Sequence, residues 1–112
     1  MKYTIKSRIW IEADDHMLLG EGRVRLLKLI DETGSLSKAA KSLHMSYKKA
    51  WELIDSVNKS AKEPVVITSI GGKDGGGSKL TPHGQELVAI FDEINKNCWN
   101  FLDEQMKTIT QI

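Results

Sequence analysis

Between Gly34 and Lys62 the chain reads GSLSKAAKSLHMSYKKAWELIDSVNKSAK, and this stretch limits the possible fold more than any other. Leu36, Ala39, Ala40 and Leu43 recur at helical spacing, and either Ser35 or Ser37 can cap the helix they define. His44 and Met45 leave room only for a tight connection before Ser46, a second capping residue. In the helix that follows, Ala50, Trp51, Leu53, Ile54 and Val57 gather on one side, so all are expected to pack inward. At about 100° per residue, Lys48, Lys49, Glu52, Asp55, Ser56 and Lys59 fall on the other side. Two short helices joined so closely, the second with a basic outward face, make the helix-turn-helix pattern. The paired alanines allow the two helices to cross closely.

The flanks extend this pattern in both directions. Upstream, Val24, Leu26, Leu27 and Ile30 keep helical spacing as far as Gly34, a good C-terminal stop. Before them, Tyr3 to Glu12 alternates through Ile5, Ser7, Ile9 and Ile11 and reads as a strand. Ala13–His16 is turn-like, with Met17–Leu19 as a short returning strand. Downstream, Val65–Ile70 is a strand by composition and Ser78–Thr81 a second, shorter one. Between them lies GGKDGGGSK, residues 71–79. A nucleotide-binding phosphate loop needs glycines at this separation followed by lysine and then serine or threonine, opening a helix. Here Gly72 and Gly77 are correctly spaced, but Ser78 precedes Lys79 and no helix follows directly. The stretch is instead the tip of a hairpin, and a hairpin directly after a helix-turn-helix is a wing. Gly72, Gly75, Gly76 and Gly77 keep that tip slim enough to approach a sugar–phosphate backbone, while Lys73 and Lys79 supply positive charge.

The last element opens at Thr81-Pro82, a capping hydroxyl followed by proline at the first helical position. Leu87, Ile90, Phe91, Ile94, Cys98, Phe101, Leu102, Met106 and Ile109 then hold three-to-four spacing almost to the end. A continuous helix of roughly 28 residues would be about 42 Å long. That exceeds what a small body can cover. The far part of the stripe therefore needs a partner, most simply the same helix of a second chain. The expected dimer surface comprises Leu87, Ile94, Cys98, Phe101, Leu102, Met106 and Ile109, with Cys98 a packed apolar group.

A length of 112 residues predicts one domain. Net charge is only +1, but residues 38–62 carry six lysines against Glu52 and Asp55, and residues 82–112 five carboxylates against two lysines. A basic middle beside an acidic final helix suits a chain that offers one face to a polyanion. No apolar run is long enough to span a membrane, and MKYTIKSRIWIE lacks the apolar core of a signal peptide. With a single cysteine, a reducing, cytoplasmic location is expected. His16, His44 and His83 stand apart from one another and from Cys98, without metal-ligand spacing. No nucleophile–base arrangement is present in the pattern, so neither an enzyme nor a cofactor is expected.

The combination GSLSKAAKSL, MSYKKAWELI and GGKDGGGSKLTPHG resembles, in order and spacing, the ModE family of molybdate-responsive bacterial regulators. The DNA-binding domain of that family is related to the LysR type. The resemblance covers about residues 20–90, and the opening WIEADDHMLLGEGR is similar to that of short, single-domain members. It implies a winged helix-turn-helix, mainly α with a small β part (α+β), that binds operator DNA as a homodimer. The parts would be an N-terminal β-hairpin (1–19), a three-helix core (20–62), a wing (65–81) and a dimerisation helix (82–110). Carried over residue by residue, the DNA contacts fall on Ser37 and Lys38, on Ser46, Tyr47, Lys48 and Lys49, and on the wing from Gly71 to Lys79. Glu52 and Lys59 join them from the outward face of the second helix. Trp51 matches the family's tryptophan, and its place on the helical wheel assigns it to packing. Full-length members continue into molybdate-binding domains, so the resemblance implies a form without that sensor. The competing reading is a winged helix used as a protein-interaction adaptor. Lys48 and Lys49 beside a glycine wing favour DNA.

Overall fold

The computed structural model describes residues 1–69 and 77–112. Its first regular element is a hairpin of β1 (Trp10–Ala13) and β2 (His16–Gly20). The turn between them is made by Asp14 and Asp15, both with positive φ (50° and 67°). Two consecutive left-handed residues match the right-handed twist of the strands, and aspartate tolerates that conformation. Of the strand expected from Tyr3 to Glu12, only the end from Trp10 is paired. The alternation continues upstream as alternate half-burial of Tyr3, Ile5, Ser7 and Ile9, but β2 is too short to reach them. A strand needs a neighbour as well as a pattern.

Helix α1 (Glu21–Thr33) buries Val24, Leu26, Leu27 and Ile30. It stops at Gly34, whose left-handed φ of 69° lets its N–H reach the Ile30 carbonyl at 2.7 Å. Of the two capping serines, Ser35 is used: its Oγ accepts from the Lys38 N–H and starts α2 (Leu36–Ser42). His44 takes a positive φ of 54°, and the Met45 N–H then donates back to the Ala40 carbonyl at 2.9 Å. That closes the turn. Ser46 Oγ accepts from the Lys49 N–H at 3.0 Å and caps α3 (Tyr47–Ser60). Ala39, Ala40 and Ala50 are buried at the α2–α3 crossing, as close packing of the two helices requires.

The wing strands β3 (Val66–Ser69) and β4 (Gly77–Leu80) pair antiparallel, Val66 opposite Leu80 and Ser69 opposite Gly77. Two sets of bonds fix this hairpin to the helices. The Ser78 N–H donates to the Gly34 carbonyl at 3.0 Å, holding β4 against the α1–α2 junction. Asn58, near the end of α3, accepts from the Val65 and Val66 N–H groups and donates to the Val66 carbonyl.

Helix α4 (Pro82–Ile109) follows at once. Thr81 Oγ accepts from the Gly84 N–H at 2.9 Å and donates to the Pro64 carbonyl at 2.7 Å. Gly84 is obligatory for a steric reason, because a Cβ there would run into the Val65 carbonyl. Beyond that contact α4 buries Phe91 in the common core and then leaves the body. The molecule consequently measures 63 × 29 × 20 Å.

Candidate nucleic-acid interface

The first turn of α3 presents Tyr47, Lys48 and Lys49 to solvent, and α2 presents Ser37, Lys38 and Lys41 beside it. Among the described residues none of these four lysines has a salt-bridge partner. The Ser46 cap leaves the N–H groups of Tyr47 and Lys48 without an intrahelical acceptor, as at any helix start. Such a terminus, with lysines around it, attracts phosphate.

Trp51 overturns an expectation. It does not pack inward but is 52% exposed, alongside Tyr47 at 55%. The buried stripe of α3 is the narrow set Ala50, Ile54 and Val57. Trp51 lies about 100° round the helix from Ala50, on the shoulder of that stripe. Tyr47, one turn earlier on the same helix, is exposed with it.

Glu52 and Lys59 stand differently. Lys59 Nζ is 2.8 Å from Asp55 Oδ2 and belongs to the last turn of α3. Both residues line a shallow cleft with Asp14 and His16 of the hairpin turn. Along the axis Lys59 is about 16 Å from Lys48. The acidic neighbours there make Lys59 a poor match for a polyanion, and the structure does not bring it together with Lys48 and Lys49.

In the wing, Lys79 is exposed on β4 and Gly77 is half-buried at its start. The expected contacts at Gly72, Lys73, Gly75 and Gly76 lie outside the described residues. The wing base is fixed beside the N-terminus of α2 through Ser78 and Gly34, so Lys79 and the α2–α3 lysines belong to one part of the molecule.

The expected dimer surface divides in two along α4. Leu87 packs partly on the core, Cys98 Sγ lies 3.5 Å from Ser7 Oγ, and Leu102, Met106 and Ile109 are half-buried. Ile94 and Phe101 are 46% and 62% exposed, and Ile90, four residues before Ile94, is 42% exposed.

Residues 22–85 match the family model of bacterial regulatory helix-turn-helix proteins of the lysR family. Across 106 residues, 95% of its length, the chain is 35% identical to the molybdenum transport protein ModE of Azotobacter vinelandii and covers 39% of that protein. It is 36% identical over 86 residues to the transcriptional regulator ModE of Haemophilus influenzae, matching 77% of this chain and 34% of the relative. Against the DNA-binding transcriptional dual regulator ModE of Escherichia coli (strain K12), identity is 43% over 70 residues, covering 62% of this chain and 27% of that one. The chain thus spans well under half the length of these relatives. The match to the family model runs from α1 through the wing into α4, and the chain belongs to the lysR family of bacterial regulatory helix-turn-helix proteins.

Proposed function

We propose that this protein is a transcriptional regulator that binds operator DNA as a homodimer, with α3 in the major groove. The observation that carries the reading is the N-terminal end of α3. There Lys48 and Lys49, with Lys38 and Lys41 on the adjoining α2, are exposed without ion-pair partners among the described residues, and Tyr47 and Trp51 are exposed on the same helix. In this reading Lys48 and Tyr47 reach base edges, as residues at the start of a recognition helix do. Lys38, Lys41 and Lys49 meet phosphates, and Ser37 and Ser46 lie against the backbone. Lys79 adds a wing contact. The exposed stripe of α4 supplies the two-fold partner. No helix among the described residues is long and apolar enough to cross a membrane.

Two measurements test this. Selection from random duplex DNA should enrich inverted repeats. If no sequence is enriched, the adaptor reading takes its place. About four phosphate contacts per chain, doubled in a dimer, give a log–log salt slope of roughly −7. A slope near zero between about 50 and 200 mM salt would remove the electrostatic basis of the proposal.

A further inference from the structure

Residues 1–9 are an extended segment with an unmet requirement. Their odd side chains Tyr3, Ile5, Ser7 and Ile9 are half-buried, while Lys2, Thr4, Lys6 and Arg8 are exposed. That two-residue period is the signature of a strand lying on an apolar layer. The layer is α4. Ser7 touches Cys98, and the chain runs from Trp10 into the body. Counting back at about 3.3 Å per extended residue, against about 1.5 Å per helical one, brings Tyr3 level with Met106. This accounts for the half-burial of Leu102 and Met106, far from the core.

Yet no backbone N–H or carbonyl of residues 1–9 bonds to another backbone group among the described residues. The segment has the side-chain pattern, composition and underlying layer of a strand, and lacks only a neighbouring strand. Such an edge is a template for pairing with another chain. The sequence KYTIKSRI, residues 2–9, is favourable for this, with β-branched and aromatic residues and no proline or glycine.

What lies beside the segment identifies its partner. On α4, Cys98, Leu102 and Met106 carry the segment, while Ile90, Ile94 and Phe101 form the next stripe round the helix and are exposed. At about 100° per residue, Phe101 is only about 60° from Cys98. A second copy that covers this stripe with its own α4 therefore brings its own extended segment alongside.

We propose that residues 2–8 of two copies pair antiparallel across the two-fold axis, forming a two-stranded ribbon laid over the two α4 helices. The proposal rests on the homodimer reading above and adds to it an interchain strand pair. Antiparallel pairing about a two-fold keeps odd residues opposite odd ones, so Tyr3, Ile5 and Ser7 of both chains face the helices together. Lys2, Lys6 and Arg8 then line the outer face in water.

Hydrogen exchange on the whole, isotopically labelled protein tests the ribbon. An antiparallel two-stranded ribbon bonds alternate amides, because every second residue turns its N–H and carbonyl toward the partner strand. In the dimer, every second amide between Lys2 and Arg8 should exchange roughly tenfold or more slowly than its neighbours. A sample mixing labelled and unlabelled chains should show contacts between the segments of different chains. A dimer in which all these amides exchange fast, without interchain contacts at the segment, overturns the ribbon and leaves the α4 dimer standing. A monomer at tens of micromolar overturns both.

Discussion

Lys48 and Trp51 occupy neighbouring positions on α3 and illustrate what single residues can reveal. Lys48 lies in the first helical turn, exposed, with no carboxylate held to it among the described residues. If it reaches a base edge, truncation removes discrimination as well as charge. Lys48→Ala should weaken binding to the selected site by about 1–3 kcal/mol more than binding to random duplex. Lys79→Ala, a backbone contact from the wing, should weaken both to the same extent. Titration of each variant against both DNAs measures the ratio, and an unchanged ratio for Lys48→Ala would displace α3 from the groove. Trp51 shows where reading a sequence on a helical wheel loses its grip. An aromatic residue on the shoulder of an amphipathic helix can be assigned to either side from hydrophobicity alone. Its side is decided by the helices packed against α3, and α2 meets α3 through alanines, leaving the bulky ring outside. Ser35 and Ser37 posed a similar choice, settled by where Gly34 ends the helix before them.

At the scale of elements, the four helices and both strands of the wing were legible because each carries its own punctuation. Gly34, Ser46 and Thr81-Pro82 mark ends in a way that depends on local chemistry alone. The N-terminal strand was misjudged in length because its pairing depends on the reach of β2, which no local pattern records. The contact of α4 with Val65, just before β3, was not legible either. Gly84 reads in sequence as a poor residue for a helix, and only the proximity of the Val65 carbonyl explains it. Gly84→Ala would normally favour a helix, but here it must push backbone away from backbone. The expected result is a loss of about 1–3 kcal/mol, the usual scale of overpacking, read from urea unfolding. A neutral or stabilising effect would mean that α4 can slide away from Val65 at little cost.

The whole molecule is far longer than it is thick because α4 continues past the core. Its length was foreseeable from spacing, and so was the need for a cover. Unforeseen was that the N-terminal segment meets α4, Ser7 against Cys98, while Ile90, Ile94 and Phe101 stay exposed as the open stripe. The Cys98–Ser7 contact joins residues 91 positions apart, a distance over which periodicity carries no information. Ile94→Lys combined with Phe101→Glu adds charge only at exposed positions, so the fold should survive. Sedimentation should then show monomers, and operator affinity should fall by at least roughly tenfold, because two half-sites can no longer be bound by one assembly. Dimers that persist in this variant would place the interface elsewhere.

The knot of Thr81, Val65 and Gly84 at the root of α4 also bears on DNA geometry. A helix held there by a capping hydroxyl and by backbone packed directly on backbone acts as a stiff lever, with no loop at its base to absorb torsion. In a two-fold assembly built on such levers, the angle and separation of the two reading heads are nearly constant. A duplex turns about 34–36° for each base pair inserted, since one turn takes about 10–10.5 base pairs. One extra pair between half-sites would thus rotate the second target away from a head that cannot follow. Sites from selection should show a single spacer length, and lengthening it by one pair should reduce affinity roughly tenfold in a binding titration, with partial recovery after a full turn. Equal affinity across spacers would show a compliant joint where the structure has a rigid one.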